Sequence, residues 1–211
     1  MKKYFLIALF FCAFFKTFAS YILIPMDDSQ KNHLKAYGLA YWALKGELEI
    51  YWLLNYRGGS FMIPNAKAVS NECTIRGISY ETISDAQGNS ILADIANPEV
   101  NQDAVKLEKA PRIAVYSPKG KQPWDDAVTL VLQYAEIPYD VVYDEELYLD
   151  KLKDYDWLHL HHEDFTGQYG KFYAGFQHAA WYQAEVRENE AMAKKLGFSK
   201  VSLMKLNSAK K

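Results

Sequence analysis

The stretch HLHHED, His159 to Asp164, brings together three of the chain's five histidines and two carboxylates. His159 and His161 are two residues apart, so on a strand they share a face. Two imidazoles with a carboxylate behind them form a donor set that suits zinc. The same groups can move protons or line a binding pocket. His162 points to the opposite face, and Glu163 and Asp164 open the following loop. The ordinary reading is a polar strand end whose histidines bond backbone carbonyls or water. Zinc is the cofactor these residues suggest, and they identify no other.

Two carboxylate pairs occupy comparable places. Asp27 and Asp28 follow the apolar run YILIPM, and Asp125 and Asp126 follow RIAVYSP after a polar loop. Each pair sits between a predicted strand and a predicted helix. Ligands of open α/β sheets bind outside the carboxyl ends of strands, so these aspartates and the histidine cluster can converge there. An aspartate before a helix is also an ordinary cap, so a dyad role competes with capping.

Other chemistry is excluded by motif. Gly58-Gly59 lacks the Gly-Lys-Ser/Thr ending of a phosphate loop. Gly-x-Ser-x-Gly, Cys-x-x-Cys and His-Glu-x-x-His do not occur. A net charge of −2 with acidic and basic residues interspersed gives no footprint for nucleic acid.

The first residues read as a sorting signal. Lys2 and Lys3 precede the apolar run Tyr4 to Phe15, and Thr17-Phe18-Ala19 offers small residues at a cleavage site. Cleavage after Ala19 or Ser20 is expected, which makes the protein exported, periplasmic or secreted. The apolar run is shorter than the ~20 residues a span requires, so no membrane span is expected after cleavage. Cys12 leaves with the leader and Cys73 remains as the sole thiol, read as buried and structural.

Periodicity supplies the elements that position these groups. Tyr21–Met26 is a strand, and Gln30–Lys45 a helix with Leu34, Tyr37, Gly38, Tyr41 and Leu44 on one face, capped from Asp27, Asp28 or Ser29. Glu49–Tyr56 is a second strand, so the three make a βαβ unit with a parallel pair. A short strand, Ser60–Ile63, precedes a helix from Asn65 to Arg76. Next come a strand, Ile78–Ile83, and a helix capped by Ser84 or Asp85. The polar, proline-bracketed segment from Asn97 to Pro111 is read as a connection. A second βαβ run follows: Arg112–Pro118, a helix with Val128, Val131, Leu132 and Ala135 on one face, Pro138–Asp144, a short helix Leu147–Lys153, and Asp156–His161. Crossover order places the first of these strands between the other two. Trp157, Leu158 and Leu160 make the last one apolar on both faces, as an interior strand would be. From Gly170 to Leu196 the chain reads as helical.

The phrases YILIPMDDSQKNHLKAYG, NECTIRGISYE, PWDDAVTLVLQYAEIPYDVVYDEE and DWLHLHHEDFTGQYGKFY together resemble a family of exported Bacteroidota proteins labelled asparagine synthetase B. The resemblance runs from Tyr21 to near the C-terminus and matches the N-terminal half of longer members. It implies a flavodoxin-like, partly class I glutamine amidotransferase-like fold. The label does not bring its chemistry. Residue 2 is Lys, not the Cys of true asparagine synthetases, and the Ser-Gly-Gly-x-Asp-Ser loop for ATP is absent. The amidotransferase nucleophile, a Cys after a further strand, has no match, so no catalytic residue carries over.

These readings give an α/β protein of parallel βαβ units. Residues 1–20 are a leader, 21–97 a first α/β unit, 98–111 a connection, and 112–211 a second, incomplete amidotransferase-like unit. The expected role is an exported binding or envelope protein for a small molecule or protein partner. Self-association through a bare sheet edge is a further expectation. The competing expectation is an amidotransferase-like or metal-assisted hydrolase whose catalytic part lies outside this chain.

Overall fold

The computed structural model describes residues 19–117, 126–160, 174–202 and 204. The chain divides into two compact units, Met1–Ala110 and Pro111–Lys211.

The first unit is built on a five-stranded sheet ordered β4-β1-β3-β2-β5. Its strands are β1 (Ala19–Ile24), β2 (Ile50–Leu54), β3 (Ser60–Pro64), β4 (Glu81–Ser84) and β5 (Asp103–Leu107). Every neighbouring pair is antiparallel. The expected parallel pairing of β1 with β2 is therefore corrected. Both strands run the same way, as a helical crossover requires, but β3 lies between them and is antiparallel to each. The short β2–β3 link, residues 55–59, leaves β3 no course except to fold back beside β2. Ser60, Phe61, Met62 and Ile63 are all buried, so β3 needs neighbours on both sides. The polar strands β4 and β5 take the edges, where charged side chains meet water. Strand β5 lies in the segment that polarity alone marked as a connection, and it pairs with β2 from Asp103↔Leu54 to Leu107↔Ile50.

Helices cover both faces of this sheet. Helix α1 (His33–Lys45) is capped by Asn32, whose Oδ1 accepts from the Lys35 N–H at 3.0 Å. Capping by Asp27, Asp28 or Ser29 is thus corrected. The buried face runs through Ala36, Gly38, Leu39, Ala40, Ala43 and Leu44, so Gly38 and Leu44 of the expected face are buried while Leu34 and Tyr37 are exposed. Alanines let the helix approach the sheet closely, and Tyr37 instead lays its ring edge-on against Phe61, centroids 5.5 Å apart. Helix α2 (Lys67–Arg76) buries Val69 and Cys73 one turn apart and ends at Gly77, which adopts φ 69°. These helices share a core with Ile22, Ile24, Ile50, Phe61 and Ile63. On the opposite face, Leu23, Leu53, Met62 and Ile83 pack with Ile95 of α3 (Asp85–Ile95). Ser84 and Gln87 cap α3 reciprocally.

The second unit carries a three-stranded parallel sheet ordered β7-β6-β8, with β6 (Ile113–Tyr116) central, as crossover order predicts. Helix α4 (Ala127–Tyr134) leads to β7 (Asp140–Val142). Helix α5 (Asp144–Tyr148) and a 3-10 turn (Lys151–Asp154) lead to β8 (Trp157–Leu160). Ile113, Ala114 and Val115 are buried on both faces of β6. Strand β8 is apolar like an interior strand, yet it stands at the edge that crossover order leaves bare. Among the described residues it is an edge strand, with Trp157 43% and Leu160 39% exposed. Helix α4 also turns differently. Thr129, Leu132 and Ala135 are buried, whereas Val131 faces outward with Leu130 and Tyr134. Helix α6 spans Ala180–Lys195, and residues 170–173 of the expected helical stretch lie outside the described residues. Among the described residues no helix is long and apolar enough to cross a membrane.

Candidate functional site

Among the described residues, the second unit keeps its buried polar side chains at the carboxyl end of its sheet. Ser117, Asp126, Thr129 and Asp144 are each at most 6% exposed, and all follow the carboxyl ends of β6 and β7 or open α4. A buried polar group is costly unless bonded, so four together at one sheet edge mark a built feature.

Asp126 is its hinge. It precedes α4, and its Oδ1 accepts from the Thr129 N–H at 2.7 Å as a helix cap. Its second oxygen, Oδ2, lies 2.9 Å from His159 Nε2. Both carboxylate oxygens are thus engaged, and the side chain is only 7% exposed. His159 is 18% exposed and stands beside Val115 in the β6–β8 ladder. Because paired residues of a parallel ladder point to one side, His159 shares the face of Val115. Its ring meets the edge of Trp157 at a centroid distance of 6.5 Å.

A second pair flanks the same edge from the opposite face. Tyr116 is the next residue of β6, and its hydroxyl donates to Asp144 Oδ1 at 2.7 Å. Its ring tilts against Tyr143 with centroids 5.3 Å apart. The Ser117 N–H continues the ladder to the Val142 carbonyl at 3.0 Å. Glu146 Oε2 accepts from the Tyr143 N–H, which fixes the start of α5. Lys195 of α6 binds Glu145 at 2.6 Å.

The position of the first pair follows from topology. The connection leaving β6 through α4 passes to β7 on one flank, and the next connection crosses to β8 on the other. The crevice between the carboxyl ends of β6 and β8 is therefore a topological switch point. Asp126 and His159 bridge it.

Of the residues singled out by sequence, the structure joins His159 with Asp126. Asp125, His161, His162, Glu163 and Asp164 lie outside the described residues. Among the described residues no group of three or more His, Cys, Asp or Glu is arranged to hold a metal ion. Tyr116, Ser117 and Asp144 were not singled out. Asp144 carried a signal, since it follows the predicted strand PYDVVYD as Asp27 follows YILIPM.

Asp27 has a different role in the first unit. Its Oδ2 accepts from Arg57 Nε at 2.7 Å, and its Oδ1 accepts from the Ser29 N–H at 3.1 Å. The Arg57 guanidinium beside it, helped by Ser29, holds its carboxyl down at about 2. Arg57 also reaches Glu81 Oε1 at 2.8 Å, and the carboxylates of Asp27 and Glu81 raise its own proton affinity. This clasp ties the end of β1 to the β2–β3 turn and the start of β4. Gln30 locks the same loop. Its buried amide donates to the Pro25 and Ser79 carbonyls and accepts from the Ser79 N–H at 2.9 Å. Asp28 is exposed. The clasp gives Asp27 a structural role, with Arg57, Glu81 and Ser29 all engaged in it.

Protein-family models, curated proteins and solved structures were all compared with the chain, and none matches it.

Proposed function

We propose that this chain is an exported binding protein whose second unit is flavodoxin-like and takes a small molecule at the β6–β8 crevice. The observation that carries the reading is the Asp126–His159 bridge at 2.9 Å across the topological switch point. A side chain used only to solvate a strand end does not need a buried carboxylate with both oxygens engaged. The β7-β6-β8 order supports the flavodoxin-like assignment, since this is the order at the start of that fold. The resemblance to the exported family labelled asparagine synthetase B agrees with the export expected from residues 1–20. Synthetase chemistry itself is not proposed, for lack of the ATP loop and the terminal Cys.

A second reading has one observation in its favour. A carboxylate bonded to an imidazole is also how acid–base pairs are oriented, so an amidotransferase-like or metal-assisted hydrolase remains the alternative. Exposed Trp157 and Leu160 on β8 support a further proposal, pairing of this edge with another chain.

The test is ligand mapping by amide NMR on the chain without residues 1–20, using a library of small polar fragments. Binders should move the resonances of residues 116–117, 126–129 and 159 together, and His159→Ala should abolish the response. Binders that map consistently to another surface would overturn the assignment.

A further inference from the structure

We propose that Asp126 holds His159 as its Nε2–H tautomer, so that the crevice presents the Nδ1 lone pair and selects a hydrogen-bond donor, a cationic amine, over the anions usual at such sites. This rests on the reading of the crevice as a ligand site, and it adds the polarity of the ligand.

The argument starts from the carboxylate. An ionised Asp only accepts hydrogen bonds. Its Oδ1 already takes the Thr129 N–H, and its Oδ2 is 2.9 Å from His159 Nε2. The hydrogen between them must therefore sit on Nε2. In a neutral imidazole the other nitrogen is then an acceptor. Among the described residues Nδ1 makes no hydrogen bond, and the ring keeps 18% exposure.

The helix N-terminus leads to the same polarity. The first turn of a helix attracts anions through free N–H groups and the dipole, which is how switch-point crevices ordinarily bind phosphate. In α4 that place is filled. The Asp126 carboxylate caps the helix, so a phosphate would meet a fixed negative charge and an acceptor nitrogen. A protonated amine suits both the lone pair and the Asp126 carboxylate.

Asp126→Asn inverts the arrangement without removing the cap, because Asn caps helices about as well as Asp. The asparagine oxygen must face the Thr129 N–H, since two N–H groups cannot bond each other. Its NH2 group then faces His159 Nε2, which must become the acceptor, and the hydrogen moves to Nδ1. The cap also loses its charge. The variant should therefore prefer phosphate.

The experiment is 15N NMR of the histidine rings in the folded chain at pH 9, with His159 assigned by its loss in His159→Gln. Far-UV circular dichroism checks that each variant is folded. The wild type should show hydrogen on Nε2 alone, and Asp126→Asn hydrogen on Nδ1. Methylammonium and inorganic phosphate are then titrated. Methylammonium should shift the wild-type Nδ1 resonance, and phosphate should bind the variant about tenfold more tightly than the wild type, the scale of a charge at a helix end. Hydrogen on the wild-type Nδ1, in either the other tautomer or an imidazolium, overturns the proposal. Correct tautomers with no wild-type response to methylammonium, or with phosphate bound equally by both chains, overturn the selectivity. Neither result touches the crevice as a ligand site, which stands or falls on the fragment mapping above.

Discussion

Two glycines of the first unit allow steric overlap to be separated from backbone conformation. Gly58 has φ 81° and Gly77 has φ 69°, both in the left-handed region. A methyl group at Gly77 would meet nothing within 4 Å. At Gly58 it would lie 2.3 Å from the Met26 carbonyl oxygen and 2.6 Å from its carbon. Those atoms belong to backbone held in place: the Met26 N–H donates to the Arg57 carbonyl at 3.0 Å, and Asp27, the next residue, is clasped by Arg57. Left-handed backbone costs an L-residue roughly 1–2 kcal/mol, and the stiffer unfolded chain offsets about 0.4–1 kcal/mol of that. Gly77→Ala should therefore cost about 1 kcal/mol. Gly58→Ala adds an overlap of the kind that costs about 1–3 kcal/mol in a packed core, for a total of about 2–4 kcal/mol. Urea unfolding followed by tryptophan fluorescence reads the difference. Trp52 is a local reporter, because its indole N–H donates to the Gly59 carbonyl at 3.2 Å. With a slope of about 2 kcal/mol per molar urea, the two midpoints should differ by about 1 M. Equal midpoints would show that the Gly58 turn relaxes freely and that the packing of Met26 against it is loose.

Two further outcomes follow from charge and burial. The Asp27 carboxyl is held at about 2 by Arg57 and Ser29, below its unfolded value, so its contribution to stability is full above about pH 4 and disappears as pH falls toward 2. The stability gap between wild type and Asp27→Asn should therefore close across that window, and a gap unchanged down to pH 2 would mean the Arg57 clasp does not form. Cys73 is fully buried, and burial pushes its thiol up to about 12. In a chain carrying Cys12→Ser, a disulfide reagent at pH 8 should modify it only on unfolding, and rapid reaction of the folded protein would refute its place in the core.

The sequence by itself specified what depends on neighbours along the chain. The caps at Ser84 and Asp126, the stop at Gly77 and the alternation of strands with helices are local chemistry, legible from residue type and spacing. So was the order β7-β6-β8, because right-handed crossovers from the central strand leave few choices. What lay beyond reach depends on contacts distant in sequence. Strand β3 separates β1 from β2 because a strand buried on both faces needs two partners, and no local pattern names them. Strand β5 reads as a polar loop because an edge strand has one face and one side in water. Of the face read for α1, Gly38 and Leu44 are buried but Leu34 and Tyr37 are exposed, and Ala36, Leu39, Ala40 and Ala43 fill the rest of the buried side, since the distance between layers sets which size fits. At the candidate site, His159 and Asp126 were each visible as groups able to do chemistry. Their union is a tertiary fact, for 33 residues separate them and only the parallel sheet brings the entrance of α4 to the flank of β8.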